Sequence, residues 1–345
     1  MKNNRITTAL AAILLLLTAT ACSWTHDDLD DCPSGIRLTL QAASETQDDL
    51  LSEVQQATVV VLDSVGRHLD TFAFSGDAVR LGNGTVHLPL SAGRYQLVVW
   101  TNQESPEYVH FTESDDFSQK SPFVCLLTKE NLSDSYLTPL WQGATSSMVS
   151  VGRTTETATT VLMTRHVKQL TVVLQDVTGG IINADRYHFH ITCDNSRLSP
   201  WGSVLRTGSA TTYSAYLAQS VDAPNDDETV IIGQKENAKA IVARAEMNTL
   251  RLTPDDGSRF IVSDRTTQRT VLNIPLTDYL LLVREQYQGR KGLRLSPQEF
   301  LDKECHYDIV FFLQPTGNET RPYILVRVMV KGWIVRPNEE ILFEE

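Results

Sequence analysis

The sequence is poor in basic side chains, with 30 lysines and arginines against 42 aspartates and glutamates in 345 residues and a net charge of −12. No cluster of lysine or arginine interrupts this acidic excess. Because affinity for phosphate backbones depends on concentrated positive charge, we expect no nucleic-acid partner. The composition, 41% hydrophobic and 21% charged, is otherwise that of an ordinary globular protein and excludes intrinsic disorder as the main state.

The usual catalytic and cofactor-binding motifs are also missing. The sequence contains no HExxH, GxSxG, Walker loop or CxxC, so we predict no enzymatic activity and no cofactor. His188 and His190 flank Phe189, and on a strand both rings would lie on one face and could chelate a metal. Since no third ligand can be identified, we interpret them as ordinary strand-face side chains and predict no metal site.

Long hydrophobic runs are confined to the N-terminus. Lys2 and Arg5 precede an apolar segment at 9–17, and small residues follow up to Cys22. This pattern predicts a secretory signal peptide at 1–21, because the run is too short to span a bilayer as a helix. The sequence ATAC resembles a bacterial lipobox, although Ala stands where Leu is usual, so we predict acylation of Cys22, with palmitate among the chains. Ordinary cleavage that leaves a soluble protein is the alternative.

Four aspartates follow the first cysteine closely: Asp27, Asp28, Asp30 and Asp31. Their spacing does not match an EF-hand loop, which alternates oxygen ligands and needs a glycine and a distal glutamate. A solvated tether at 22–31 is the simplest interpretation. The stretch also resembles the acidic signal that directs lipoproteins of Bacteroidetes to the outer face of the outer membrane, and we favour this added role.

Cysteine is rare, and four residues remain when Cys22 is set aside: Cys32, Cys125, Cys193 and Cys305. In an exported protein, pairing within domains would join Cys32 with Cys125 and Cys193 with Cys305. Domains of this size do not require disulfides, however, and Cys125 and Cys193 stand in apolar strand contexts that are typical of buried free thiols. We favour free thiols and leave the disulfides as the alternative.

Short alternating segments punctuated by turns fill the rest of the chain and predict antiparallel sheets with one buried face. In the first segment Ile36, Leu38 and Leu40 would share a face. Asn83-Gly84 predicts a tight hairpin, and Asp255-Asp256-Gly257 a second one. Further strands are expected at 57–63, 159–163, 168–175, 186–192, 270–276, 307–314 and 321–330, whereas 102–137 is irregular and is interpreted as long connections.

The domain organisation is inferred from these strands and from one composition shift. Helical signals are few, and the best is SPQEFLDKE, where Ser296 can cap, Pro297 suits the first helical position and Glu299 can complete a capping box. A Thr/Ser-rich segment at 144–160 marks the predicted boundary. We therefore predict an all-β protein of two tandem antiparallel β-sandwich domains, 32–155 and 156–345, with one or two short helices.

Blocks of sequence in a fixed order resemble a known family. They are DDLDDCPSGIRLTL, ATVVVLDSVGRHLDTFAF, HLPLSAGRYQLVVWTN, LTPLWQG, TTVLMTRHVKQLTVVLQD, TVLNIPLTDYLLL, SPQEFLDKECHYDIVFFLQ and RPYILVRVMVKGWIV. Together with the lipobox and the acidic tether, they resemble the anchoring-subunit family of Bacteroidales fimbriae, the FimB-type lipoproteins, over nearly the whole chain. The resemblance implies two transthyretin-like sandwiches and a lipid-held base that secures a shaft of fimbrillin subunits to the outer membrane and limits its length.

The resemblance also implies how the shaft is held. Related shaft subunits lose an N-terminal strand to proteolysis and accept a strand from the next subunit, a case of β-strand addition. An anchor that lost its first strand would be severed from its lipid, so we expect the strand at 36–40 to stay attached. The segment 323–343 is our candidate for shaft contact, with Ile324, Val326, Val328 and Val330 predicted to share a face. The alternative is that they form the last core strand.

Two other functions stay open at this point. A surface glycan-binding lipoprotein could share the signal, the tether and the sandwiches, and Trp201 is the one tryptophan in a loop-like setting, since Trp100, Trp141 and Trp333 stand near strand ends. A stalk or tip subunit of the same fimbrial superfamily is the second, and it predicts proteolytic maturation near the N-terminus. An exported, surface-exposed and lipid-anchored structural subunit remains the leading hypothesis.

Overall fold

The computed structural model describes residues 34–43, 47–110, 117, 120–223, 241–284, 294–318 and 322–335. Cys22, the four tether aspartates and Cys32 lie outside these ranges. Strands account for 51% and helices for 12% of the structure, which confirms the all-β prediction. The helices are short: α1 (Gln47–Glu53), α2 (Gly76–Leu81), α3 (Leu276–Leu282) and α4 (Pro297–Lys303), with a 3-10 turn at Ala184–Arg186.

The strands of the first half are β1 (Gly35–Ala42), β2 (Gln56–Leu62), β3 (His68–Ser75), β4 (Thr85–Leu88), β5 (Gly93–Thr101), β6 (Tyr108–His110), β7 (Val124–Leu126), β8 (Leu132–Ser133), β9 (Trp141–Ala144), β10 (Val149–Val151) and β11 (Glu156–Arg165). Those of the second half are β12 (Lys168–Asp176), β13 (Tyr187–Cys193), β14 (Arg197–Leu198), β15 (Thr211–Ser214), β16 (Leu217–Asp222), β17 (Ile241–Thr249), β18 (Arg259–Asp264), β19 (Thr270–Pro275), β20 (His306–Pro315), β21 (Tyr323–Val330) and β22 (Trp333–Val335).

The first half forms one strongly curved sheet around its own core. Its order is β3-β2-β5-β9-β11-β1-β4, and β10 pairs with β5. The first strand, β1, lies inside this sheet, parallel to β11 and antiparallel to β4. As predicted, Ile36, Leu38 and Leu40 point to one side and are fully buried, because successive residues of a strand alternate between its two faces.

The second half is a sandwich of two sheets. One has the order β16-β17-β12-β20-β21-β22 and the other β19-β18-β13-β15-β8. Their inner faces share one hydrophobic cluster, in which the rings of Phe260 and Phe311 stack at 5.3 Å. Facing sheets bury alternate residues in this way.

The two halves meet through a continuous apolar core. Val60, Val98 and Trp100 lie on the outer side of the first sheet, yet they belong to the same buried cluster as the second sandwich. The indole Nε1 of Trp100 donates to the carbonyl oxygen of Pro200 at 2.8 Å. The first sheet extends beyond the predicted border at 155/156, because pairing with β1 and β9 holds β11 in it. The strands β6, β7 and β8 belong to other sheets.

The hairpin predicted at Asn83-Gly84 is wrong. The preceding residues form α2, and Asn83 and Gly84 adopt left-handed conformations just after it, with φ of 48° and 81°. Gly84 N–H donates back to the carbonyl oxygen of Val79 at 2.8 Å, a bond that closes a helix end. An Asn-Gly step supplies positive φ angles wherever they are needed, so the step alone does not distinguish a helix end from a hairpin.

The second predicted hairpin also differs from the structure. The turn exists, with Asp255 at φ 55° and Gly257 at φ 69°, but it links β17 to β18, which belong to opposite sheets. The segment 102–137 likewise contains three short strands, β6 to β8, rather than connections alone. In both cases the observed structure depends on pairing between strands that are far apart in the sequence, which the local sequence does not show.

Two local predictions are confirmed. At the start of α4 the Ser296 hydroxyl accepts from the Glu299 N–H at 3.3 Å, and the Glu299 carboxylate accepts from the Ser296 N–H at 2.7 Å, with Pro297 at the first helical position. Cys125, Cys193 and Cys305 are free thiols. The pairings proposed for them as the alternative therefore do not form.

Candidate functional site

The segment chosen for shaft contact lies in β21, but its four residues do not share a face. Val328 and Val330 are fully buried, whereas Ile324 and Val326 are each 43% exposed. The cause is a register shift in which Phe312 pairs with Arg327 and Leu313 with Leu325, leaving Val326 as an extra residue. One extra residue reverses the alternation of a strand, so the prediction of a common face is wrong.

The strand β22 follows β21 through a tight turn at Lys331 and Gly332, both at positive φ, 50° and 76°. It is the last strand of the six-stranded sheet and pairs only with β21 within the described ranges. Its outer edge presents main-chain donors and acceptors that another strand could use. The C-terminal segment thus combines an open edge with the exposed side chains of Ile324 and Val326.

The directions of the strands show that the two ends of the described fold point in opposite directions. The N-terminal end of β1 pairs with the start of β11, at Gly35 and Glu156, while the chain enters the second sandwich from the other end of β11, after Arg165. In the second sandwich β20 runs parallel to β12, and β22 runs antiparallel to β21. Therefore β22 points away from the junction, towards the pole remote from the first sheet.

The first strand is built in firmly. Eight consecutive residues of β1 pair with β11, and a glycine is required where the strand begins. Gly35 has φ 147°, and a Cβ placed there would lie 2.3 Å from the carbonyl oxygen of Leu88. Because three of its leucine and isoleucine side chains are fully buried, loss of β1 would expose the core of the first sheet.

Charged side chains are buried at the junction between the two halves. Arg165, 1% exposed, pairs with Glu53 at 2.9 Å, and the Trp141 indole donates to the same carboxylate at 2.8 Å. Burial raises the pKa of Glu53 in spite of the opposing charge of Arg165. Breaking such a pair leaves an uncompensated buried charge. Both partners belong to the first half, and the Arg165 guanidinium also lies 3.4 Å from His306 Nε2 of the second half.

A second buried cation lies at the start of β12. The Lys168 ammonium donates to the main-chain carbonyl oxygens of Asp302 and Glu304, at 3.2 and 2.9 Å. Burial lowers the pKa of Lys168. Nearby, Arg251 makes two hydrogen bonds to the Asp302 carboxylate, at 2.8 and 2.5 Å, and one to the carbonyl oxygen of Gly202 at 2.6 Å. These bonds connect α4 to the junction.

His166 lies between these cations and is almost completely buried. Its ring stacks on Trp100 with centroids 5.6 Å apart, and within the described part of the chain neither ring nitrogen has a hydrogen-bond partner. Burial, reinforced by Arg251 and Lys168, holds the pKa of His166 well below its usual value. The imidazole is therefore neutral at physiological pH.

The two strand-face histidines are stacked on one another, with ring centroids 4.9 Å apart. His188 Nε2 lies 3.1 Å from the hydroxyl of Ser214, and burial lowers the pKa of both His188 and His190. No group of three or more His, Cys, Asp and Glu side chains in the described ranges could hold a metal ion.

The tryptophan chosen for the glycan-binding alternative is not an exposed platform. Trp201 packs against the main core, and its Nε1 donates to the carbonyl oxygen of Phe117 at 2.8 Å. Trp100 and Trp141 are buried. Tyr136 has an exposed aromatic ring, in the segment that the sequence presents as an irregular connection. The local sequence does not show that Tyr136 is exposed, because this depends on how the segment packs against distant strands.

Comparison with known proteins agrees with this architecture. No helix in the described ranges is long and apolar enough to cross a membrane, and no curated protein sequence matches the chain. A candidate adhesin from Bacteroides thetaiotaomicron has 24% identity and a TM-score of 0.74, over 89% of this chain and 99% of its own. A candidate polysaccharide-binding protein from the same organism has 23% identity and a TM-score of 0.70, over 89% and 99%.

The fimbrial anchor protein Mfa2 from Porphyromonas gingivalis shares the fold as well. It has 16% identity and a TM-score of 0.64, over 89% of this chain and 100% of its own. The family model described as fimbrillin-A associated anchor proteins Mfa1 and Mfa2 matches residues 29–339. This match covers most of the chain and indicates a fimbria-associated role in adhesion at the cell surface. The chain therefore belongs to the family of fimbrillin-A associated anchor proteins.

Proposed function

We propose that the protein is the lipid-anchored base of a fimbrium, holding a shaft of fimbrillin subunits on the outer face of the outer membrane and limiting its length. The observation that supports this proposal is that the chain enters the fold from one direction at β1 and runs towards the other along β22. The strand nearest the lipidation site begins at one pole, and the open edge of β22 points towards the other. A protein that joins a membrane to a filament needs this separation.

Attachment to the membrane is assigned to acyl chains on Cys22, with palmitate among them, followed by the acidic tether of Asp27, Asp28, Asp30 and Asp31. More than one acyl chain on a single cysteine gives stable anchoring, whereas one chain gives marginal binding. The proposed organisation is a signal peptide, 1–21, a tether, 22–31, and two transthyretin-like sandwiches at 32–155 and 156–345. The role is structural and not enzymatic.

Contact with the shaft is assigned to the C-terminal edge. An added strand would gain main-chain hydrogen bonds from β22, and the exposed side chains of Ile324 and Val326 would supply apolar contacts beside it. Val328 and Val330 support the site from inside the core. The buried, eight-residue pairing of β1 favours a base over a stalk or tip, since those subunits would lose the N-terminal strand during maturation.

Replacement of Cys22 by alanine in the native host tests the anchor. We expect the protein to leave the membrane fraction and intact filaments to appear in the medium, as followed by fractionation and electron microscopy. If the protein leaves the membrane while filaments stay on the cell, the anchor proposal is wrong.

Truncation after Lys331 tests the edge separately, because it removes β22 and leaves Cys22 in place. The protein should remain in the membrane fraction while filaments are shed. Ile324→Asp should weaken shaft attachment in the same direction, whereas Leu69→Asp, at an exposed residue of β3, serves as the matched control. Unchanged attachment after truncation would exclude β22 as the shaft contact without affecting the lipid anchor.

A further inference from the structure

We propose that the surface built from Tyr136, Gln169, Tyr216, Arg244 and Glu246 binds a neutral, hydroxyl-rich glycan. The site lies on the solvent side of the six-stranded sheet, close to the junction. It is independent of the fimbrial role, since neither Cys22 nor β22 takes part in it.

Tyr136 supplies an aromatic platform. Its side chain is 45% exposed. Exposed tyrosines are common at recognition sites because the ring offers a large rigid contact area with little conformational freedom to lose. The flat apolar face of such a ring suits the C–H face of a pyranose.

The main chain on both sides of this ring is held by one buried amide. Asn248 is fully buried; its Oδ1 accepts from the Leu137 N–H at 2.7 Å, and its Nδ2 donates to the Ser135 carbonyl oxygen at 3.2 Å. An exposed loop side chain with no function does not require this support. The fixed backbone keeps the platform in place before any ligand arrives, which lowers the entropy lost on binding.

The orientation of the ring is fixed from the side. Tyr216 packs edge-on against Tyr136, with centroids 5.5 Å apart and planes at 90°. The amide of Gln169 donates to the Tyr136 hydroxyl at 3.0 Å. The contacts with Gln169 of β12 and with Tyr216, just before β16, therefore fix the orientation of the Tyr136 ring.

Polar groups that suit sugar hydroxyls lie beside the ring. Glu246 accepts from Arg244 at 3.0 Å and from the Tyr216 hydroxyl at 3.4 Å, and it lies next to Thr171 on the neighbouring strand. The side chains of Arg244 and Glu246 are 41% and 27% exposed. Carboxylate and guanidinium groups keep further lone pairs and N–H donors free for a pair of hydroxyls.

The charge of this cluster indicates the class of ligand. Arg244 and Glu246 neutralise each other at 3.0 Å, so the surface offers no net charge to attract a phosphate or a carboxylate. A groove of about 530 Å³ is lined in part by Ser135 and Leu137, the residues on either side of Tyr136, but not by Tyr136 itself.

Affinity electrophoresis tests the proposal with the mature protein carrying Cys22→Ser, which keeps it in solution. Native gels are cast with yeast mannan, amylopectin, dextran or guar galactomannan as the probes. We expect at least one polysaccharide to retard the protein. Tyr136→Ala should weaken that retardation about tenfold, the size of a lost aromatic contact, whereas Tyr136→Phe should stay within about threefold because it keeps the ring.

Leu162→Ala is the matched control, because this exposed side chain lies on β11 of the first sheet and its loss should leave retardation unchanged. Glu246→Gln gives a second variant that leaves the platform intact and should also weaken binding. The proposal is overturned if none of the four polysaccharides retards the protein. It is equally overturned if Tyr136→Ala and Glu246→Gln, shown to be folded by circular dichroism, are retarded like the parent.

Discussion

At the scale of single residues, a close approach between the two halves depends on Gly202. The residue has φ 72°, and a Cβ there would lie 2.6 Å from His166 Nε2 and 2.7 Å from Gln142 Oε1. We expect Gly202→Ala to lower the free energy of unfolding by about 2–4 kcal/mol, the sum of a left-handed backbone and an overpacked site. Urea denaturation gives this value.

Gly208 provides the control for this change. It has φ 79°, and a Cβ added there would meet no atom within 4 Å, so Gly208→Ala should carry only the backbone penalty of about 1–2 kcal/mol. Equal losses in the two variants would show that the contact between Gly202 and His166 is not tightly packed.

The buried histidine predicts a pH dependence of stability. Burial lowers the pKa of His166 well below its value of 6.5 in the unfolded chain, so the unfolded state binds the proton first. The stabilisation that the neutral His166 ring provides is fully present above pH 6.5 and decreases as the pH drops below that value. The lowered pKa values of His188, His190 and His306 act in the same direction.

The urea midpoint should therefore decrease as the pH is lowered from about 7.5 to 5, and the decrease should be smaller in His166→Asn. If His166→Asn had the same pH profile as the parent protein, His166 would be protonated as readily in the folded protein as in the unfolded chain.

At the scale of elements, the bulge in β21 decides which side chains are exposed. Deletion of Val326 should bring Leu325 and Arg327, which already pair with consecutive residues of β20, into regular alternation. We expect the shortened strand to stay folded, with a melting temperature within a few degrees of the parent, and to lose shaft attachment. Leu69 is the corresponding extra residue of β3, and its deletion should leave attachment unchanged.

Filament retention on cells and thermal unfolding of the purified protein measure the two effects. Retained filaments after deletion of Val326 would mean that the side chains exposed by the bulge do not contribute to shaft contact, even if the edge of β22 does.

The elements also show where local sequence is sufficient. The capping box of α4 was predictable because it is complete within four residues, from Ser296 to Glu299. The helix at Gly76–Leu81 also has local signals, since the Ser75 side chain caps it and Asp77 lies in its first turn, but the Asn83-Gly84 step was interpreted as a hairpin instead. The face reversal at Val326, by contrast, depends on the register with β20, which is set by contacts far apart in the sequence.

At the scale of the whole molecule, the continuous core predicts cooperative unfolding. Trp100 and Val98 of the first sheet lie in the same buried cluster as Phe311 of the second sandwich, and the Trp100 indole donates across the junction to the Pro200 carbonyl oxygen. We expect one calorimetric transition with a van't Hoff enthalpy equal to the calorimetric enthalpy. Two resolved transitions would show that the halves unfold separately.

Alternation, capping and motif order are local properties, so the amino-acid order alone was enough to predict the all-β class, most strands, the cap of α4, the free thiols and the family resemblance. The export signal, the lipid site and the acidic tether remain predictions. Other features are determined only by the tertiary structure: β11 belongs to the first sheet, the side chains of Val326 and Tyr136 are exposed, and Trp201 packs against the core. These outcomes depend on pairing and packing between residues distant in sequence, and no local pattern encodes them.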